Sequence, residues 1–243
     1  MMSIQDKTEY LKQEVKNTLH LDLTSEQAEM MVQYYLMMIE KNKVMNLTRV
    51  TDFEETVQKH FVDSLSIGLL QDVSLQKNRI LDLGCGAGFP GIPLKIMWPD
   101  NELHLLDSVG KKVNFVNDVI RELGLKNAVA MHARAEDLAR DPSYREKYDL
   151  VISRAVANMA TLSEYCMPFV KMKGHFIAYK SGDITEEIKQ AEKIIHLTGG
   201  TNPELNTIEL YDMGRILVQV EKSAKTPSKF PRKAGMPSRM PII

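Results

Sequence analysis

The spacing of apolar residues changes twice along this chain, and each change marks a different kind of structure. Residues 4–20 carry Ile4, Tyr10 or Leu11, Val15 and Leu19 at helical spacing. Thr24-Ser-Glu-Gln27 then has the S/T-x-x-E/Q form of a capping box, in which two side chains satisfy free N–H groups at a helix start. Behind it Met30, Met31, Tyr34, Tyr35, Met38 and Ile39 fall on one wide face, which reads as a core-packing stripe rather than a methionine-rich docking face. A third helical stretch covers 52–71, so residues 1–75 are expected to form a small N-terminal helical extension.

From Arg79 the period shortens. Apolar runs at 80–83, 103–107, 128–132, 149–153 and 175–180 alternate with helix-length segments at 90–98, 109–123, 158–171 and 183–197. Strand alternating with helix predicts an α/β domain, a parallel sheet covered on both faces. The last two runs, 205–211 and 215–221, flank a turn at Asp212-Met213-Gly214 and predict an antiparallel hairpin. Residues 76–222 are therefore expected to form a Rossmann-like, mostly parallel seven-stranded sheet with an antiparallel C-terminal hairpin. From Lys222 onward there is no acidic residue, but Lys222, Lys225, Lys229, Arg232, Lys233, Arg239 and the prolines Pro227, Pro231, Pro237 and Pro241 are present. Residues 223–243 read as a basic, Pro-rich tail, extended or draped over the domain.

Composition narrows the class. At 44% hydrophobic and 26% charged, the 243 residues can build a sizeable core, and disorder is not expected. The net charge is −1, so any contact with nucleic acid must rest on cations concentrated locally, as in the tail. Cys85 and Cys166 offer neither a disulfide framework nor a four-ligand zinc set, and no metal is expected. The opening MMSIQDKTEY lacks the apolar run of a signal peptide, and no stretch approaches the ~20 apolar residues of a membrane span. A cytoplasmic protein without membrane contact is expected.

The best local signal is Asp82-Leu-Gly84-Cys-Gly86-Ala-Gly88-Phe-Pro-Gly91, lying between a strand and a helix as a nucleotide-binding loop must. Gly86, Gly88 and Gly91 spell G-x-G-x-x-G, the dinucleotide pattern, in which a pyrophosphate rests on a helix N-terminus. Starting from Asp82, the same loop is Asp-x-Gly-x-Gly-x-Gly, typical of S-adenosylmethionine sites; Asp82 suits the cationic end of that ligand. Asp107 closes the second strand about 20 residues on, where a carboxylate can accept from ribose hydroxyls of either cofactor. Ala135-Glu136-Asp137 follows the third strand, where a carboxylate can face an adenine amino group or simply start a helix. The final hairpin favours the methyl donor, since a dinucleotide fold continues with a second parallel half.

The segment after the fourth strand bears on the accepting atom. Exocyclic amines are usually methylated beside an Asn/Asp-Pro-Pro-aromatic loop; this chain has Ser153-Arg154-Ala155-Val156 there. Pyrimidine C5 needs a cysteine nucleophile, and neither Cys85, inside the glycine loop, nor Cys166, in mid-helix, is well placed. Guanine N7 carries a free lone pair and no proton, so positioning suffices. Arg154 and Lys180, at the ends of the fourth and fifth strands, are candidates to position the base, a phosphate or the cofactor carboxylate.

The residues quoted so far, with Asn46-Leu-Thr48, His60-Phe-Val-Asp63-Ser64-Leu65, Phe-Pro-Gly-Ile-Pro-Leu94 after the loop, Leu106-Asp107-Ser108-Val-Gly-Lys-Lys112, Arg134-Ala135-Glu136, Ile152-Ser153-Arg154-Ala155 and Phe230-Pro231-Arg232-Lys233-Ala-Gly, run in order through nearly the whole chain. In them the chain resembles the RsmG (GidB) family of 16S ribosomal RNA guanine-N7 methyltransferases. The resemblance implies a class I methyltransferase fold, S-adenosylmethionine as cofactor and a guanine of the 530 loop of 16S rRNA as substrate, in naked RNA, the 30S subunit or a precursor. It implies cofactor contacts at Gly84, Phe89, Asp107, Ala135, Glu136 and Arg154, alongside Asp82, Gly86 and Gly88 from the loop pattern. Lys111, Lys112, Arg232 and Lys233 are the candidate RNA-binding residues. Asn46, Thr48, His60, Asp63 and Ser64 read equally as a polar lid over the cleft or as an interdomain hydrogen-bond network. Two other functions compete: a small-molecule methyltransferase on the same fold, against which the basic tail argues, and a non-catalytic rRNA-binding assembly factor, against which the intact loop argues.

Overall fold

Both N-terminal helices begin where their capping chemistry requires. In the computed structural model, which describes residues 2–211 and 213–243, Ser3 and Asp6 cap α1 (Ile4–Leu19) reciprocally. Thr24 and Gln27 do the same for α2 (Ser25–Met45), with bonds of 3.1 and 3.0 Å. The Gln27 amide also donates to the carbonyls of Ile96 and Met97, both at 3.0 Å, at the end of α5 (Gly91–Met97). One capping residue thus starts a helix and docks it on the sheet domain, supplying donors to carbonyls at the end of α5. The Met/Tyr stripe is core: Met31, Tyr34, Tyr35 and Met38 are buried.

The helical stretch expected over 52–71 is interrupted. It comprises α3 (Phe53–Thr56), a π-helical stretch (Val57–Val62), α4 (Asp63–Leu65) and a 3-10 turn (Ser66–Leu69). A π-turn inserts an extra residue and disturbs the i→i−4 ladder. The Lys59 carbonyl inside it accepts from Arg154 at 3.2 Å, so the irregularity supplies a bond to the sheet.

The seven strands are β1 (Arg79–Leu83), β2 (Glu102–Asp107), β3 (Ala128–His132), β4 (Tyr148–Arg154), β5 (Val170–Ser181), β6 (Glu204–Leu210) and β7 (Met213–Glu221), in the order β3-β2-β1-β4-β5-β7-β6. The first five are parallel, and β7 runs antiparallel between β5 and β6. The turn expected at Asp212-Met213-Gly214 includes Asp212, which lies outside the described residues. The central strands read as continuous apolar runs because both faces are covered. Ile80, Leu150 and Ile177 face a core shared with α1, α2 and α6 (Gly110–Glu122), whereas Leu81, Val151 and Phe176 face a second core under α7 (Ala135–Leu138), α8 (Met159–Cys166) and α9 (Thr185–Leu197). The helix expected over 158–171 ends early: Pro168 lies in a 3-10 turn (Met167–Phe169), and β5 begins at Val170. Proline has no N–H for the helical ladder. Among the described residues no helix is long and apolar enough to cross a membrane.

The tail is draped over the domain. Lys222 is fully buried; its ammonium donates to the Met167 carbonyl at 2.6 Å and to the Thr226 hydroxyl, 3.4 Å from the Glu146 carboxylate. Burial pulls its pKa down to about 8. The Arg145 guanidinium donates to the carbonyls of Ala139, Thr226, Pro227 and Phe230, and Arg140 donates to that of Pro231. Prolines leave carbonyls without strand partners, and these two arginines supply donors to them.

Candidate functional site

The glycine loop leaves β1 through three left-handed glycines, Gly84, Gly86 and Gly88. Gly84 and Cys85 donate to the Leu106 carbonyl at 2.7 and 3.1 Å, and Gly86 donates to the Asp107 carboxylate at 2.9 Å, so β2 braces the loop. A Cβ on Gly84 would lie 2.3 Å from Val156 Cγ2, in addition to its positive φ of 76°. The loop is held from behind by the helical extension: the Tyr34 hydroxyl donates to the Ala87 carbonyl at 2.7 Å and stands 3.0 Å from where a Gly88 Cβ would sit.

In front of this loop, at the C-terminal ends of the parallel strands, lies an open cleft of about 360 Å³. That is where open α/β sheets bind ligands. The strand order β1-β2-β3 sets Gly84, Asp107 and then Ala135 and Glu136 in succession along the cleft, and Lys112 and Tyr165 also line it. The Asp107 oxygens accept from Gly86 and from Val109, the latter at 2.8 Å. Each still has a lone pair for a further hydroxyl donor. A backbone surface without Cβ, an acceptor carboxylate and a second carboxylate beyond it fit an adenine nucleoside that carries an amino acid. The loop N–H groups of Gly84, Cys85, Gly86, Gly88, Phe89 and Gly91 are bonded within the protein, so they are not free to cradle the phosphates of a dinucleotide.

Several candidate residues sit elsewhere. The Asp82 carboxylate is fully buried and points back into the loop, where Oδ2 accepts from Gly91 at 2.8 Å and Oδ1 has no partner. Phe89 is buried behind the cleft, 5.0 Å from the Tyr34 ring and 4.6 Å from His60. Arg154 turns away from the cleft, because Asp63 offers a buried counter-charge at 2.6 Å and the Phe89 ring lies 5.3 Å below the guanidinium. Lys180 donates to Glu187 at 2.6 Å and to the Ala157 carbonyl at 2.8 Å. Arg232 is paired with Glu164, whereas Lys111 and Lys233 are exposed. Both cysteines are buried, and burial drives both thiols well above their usual range, so neither is poised as a nucleophile.

The segment containing His60 and Asp63 forms a network between the helical extension and the sheet. Asp63 bridges Arg154 and Arg215, Thr48 meets the His60 Nε2 at 3.0 Å, and the Tyr179 hydroxyl donates to the Ser64 carbonyl at 2.8 Å. Asn46 caps α2 in a left-handed conformation. Burial, and then the Arg154 charge, lower the His60 pKa to about 4, so the ring stays neutral near pH 7.

Burial acts in the opposite sense on Asp82, raising it to about 7 against the Gly91 bond and the Arg154 charge. The folded state then keeps a proton that the unfolded chain loses above about 3.8, so this residue makes stability fall as pH rises from about 4 to 7. Asp82→Asn retains an acceptor for Gly91 and removes the titration. Its stability relative to the parent should rise between pH 5 and pH 8, by on the order of 2–3 kcal/mol. Denaturant unfolding at the two pH values checks this; a constant difference would refute it.

Sequence reading missed Val156, Tyr165, Gly235 and Ser238 as cleft residues and Arg215 as a partner of Asp63. The one available signal for Gly235 was its place in the Pro-Arg-Lys-Ala-Gly segment.

Comparison with known proteins bears on the fold and the family. A computed likeness to a solved methyltransferase of Aquifex aeolicus, described as S-adenosylmethionine-dependent, covers 69% of this chain and 93% of that one, with a TM-score of 0.50 at 17% identity. An Agrobacterium tumefaciens structure described as a predicted O-methyltransferase gives 0.53 at 15% identity, over 68% and 82% of the two chains. At these identities the likeness speaks for the fold. Sequence similarity goes further. A protein of Lachnoclostridium phytofermentans named ribosomal RNA small subunit methyltransferase G is 48% identical, over 93% of this chain and 94% of its own. Its namesake in Desulforamulus reducens is 47% identical over 98% and 99%. The family model described as rRNA small subunit methyltransferase G matches residues 27–211, which take in α2 from Gln27 onward, the glycine loop and strands β1 to β6, and the chain therefore belongs to that family.

Proposed function

We propose that this chain transfers the methyl group of S-adenosylmethionine to N7 of a guanine in the 530 loop of 16S ribosomal RNA, in the cytoplasm. The observation that carries the reading is the cleft in which Gly84 and Asp107 face one space at the ends of β1 and β2. When bound, S-adenosylmethionine supplies an electrophilic methyl group on a sulfonium. Gly84 would admit its amino-acid end, Asp107 would accept from its ribose, and Ala135 and Glu136 would meet its adenine. N7 has no proton to lose, so the chain need only orient the base and exclude water. Lys111 and Lys233, which are exposed, and Lys112, which lines the cleft, would meet RNA phosphates, and that contact should weaken with salt. The Arg232 guanidinium, engaged by Glu164, positions the tail instead. Naked rRNA, a 30S precursor and the finished subunit all present such phosphates.

The reading is tested by chemical cleavage at N7-methylguanine in 16S rRNA from a deletion strain and its parent. One modified guanine in the 530 loop should disappear; an unchanged pattern would remove the assignment. A smaller test isolates the loop. A Cβ at Gly86 has no neighbour within 4 Å, so Gly86→Asp carries only the left-handed backbone cost of about 1–2 kcal/mol, which Asp tolerates better than most residues, and should still fold. It adds a negative charge beside Asp107 and should abolish cofactor binding in calorimetry. Retained binding would take Gly86 out of the site.

A further inference from the structure

The C-terminal tail does not merely cross the domain surface; part of it lines the cleft. Gly235 and Ser238 stand in the wall together with Tyr165 and Glu136. The Gly235 N–H donates at 2.7 Å to Oε1 of Glu136, a buried carboxylate, and the Tyr165 hydroxyl lies against Ser238 and Glu136. The segment is anchored on both sides. Upstream, Glu164, whose side chain is 1% exposed, receives both the backbone N–H and the guanidinium of Arg232, at 2.7–3.0 Å. Downstream, Thr161 donates to the Pro237 carbonyl at 3.2 Å. Both anchors lie on α8, so the strap and the Tyr165 side of the cleft form one piece.

We infer that residues 235–238 belong to the cofactor site, forming with Tyr165 and Glu136 the end that receives the adenine ring, and that the Arg232–Glu164 pair is the positioning contact that seats them. This rests on the cofactor assignment above. The adenine end follows from strand order: Gly84 follows β1, Asp107 ends β2, and Ala135 and Glu136 follow β3 beyond it, with the strap bonded to Glu136 there. A bidentate arginine–carboxylate pair fixes direction as well as distance, and a lysine cannot replace it. Lys233 and Arg239 project from the same strap with exposed side chains, so cofactor and RNA meet on one short segment.

The test uses the full-length protein and two ligands, S-adenosylhomocysteine and 5′-methylthioadenosine, titrated by calorimetry. Arg232→Lys and Glu164→Gln should weaken both ligands to a similar extent, about tenfold or more, because the loss falls on the shared adenosine half. Unchanged affinities, or a loss confined to S-adenosylhomocysteine, would overturn the inference. A parent protein that binds neither ligand would instead overturn the cofactor assignment itself. If the variants unfold, amide hydrogen exchange on the parent decides. Residues 233–238 should exchange more slowly when S-adenosylhomocysteine is bound, and unaltered exchange there would refute the strap's role.

Discussion

Asp107→Ala should weaken S-adenosylhomocysteine binding by about 100-fold or more, the largest single-residue effect expected in the cleft. The carboxylate does two jobs at once. It faces the cleft, where hydroxyl donors of a ribose can reach its free lone pairs, and it receives the N–H groups of Gly86 and Val109. Hydrogen bonds to a charged acceptor contribute about 1.5–3 kcal/mol each, and two lost sugar bonds already exceed the ~2.7 kcal/mol of a 100-fold change. Loss of the two backbone bonds adds a stability cost of about 1–3 kcal/mol, a fall of roughly 2–10 °C in unfolding midpoint for a chain of this size. Asp107→Asn keeps one acceptor oxygen and should fall between the parent and the alanine variant in affinity. Calorimetry with all three proteins separates the outcomes. An alanine variant that binds within threefold of the parent would show that the sugar is held elsewhere.

The elements of this site were legible in the sequence to different degrees, for physical reasons. Asp107 and the glycines were readable because local geometry dictates them: a strand must end and turn within a few residues, and left-handed φ favours glycine. The capping box of α2 was readable for the same reason, but the second use of Gln27, on the carbonyls of Ile96 and Met97, was not, since it joins residues far apart in the chain. Arg154 shows the limit more sharply. Its position at the end of β4 follows from the strand pattern, yet its direction is set by Asp63, which a π-helical turn brings beneath it. Neither the irregular turn nor the pairing of Asp63 with Arg215 has a periodic signature. The tail behaves likewise: an acid-free, proline-punctuated segment reads as extended or draped over the domain, and only Glu164, buried on α8, decides between them by drawing Arg232 inward.

Asp63→Ala should cost about 3–5 kcal/mol of stability, the typical effect of breaking a buried ion pair from one side. The Asp63 side chain is 3% exposed, and those of Arg154 and Arg215 are 12% and 19% exposed. Without the carboxylate, two guanidinium groups share a nearly dry space with no counter-charge, and neither can lose its proton. Stabilisation can return without the charges: Asp63→Leu combined with Arg154→Met and Arg215→Met should recover most of the loss, because apolar side chains of similar volume avoid the desolvation cost. Recovery of cofactor affinity is a separate matter. Arg154 leads directly into Ala155 and Val156, which line the cleft, Val156 lying against Gly84. The triple variant should therefore unfold near the parent's denaturant midpoint and still bind S-adenosylhomocysteine more weakly. An Asp63→Ala protein within 1 kcal/mol of the parent would mean that water or another residue neutralises the arginines. Full affinity in the triple variant would mean that the ion network serves the fold alone.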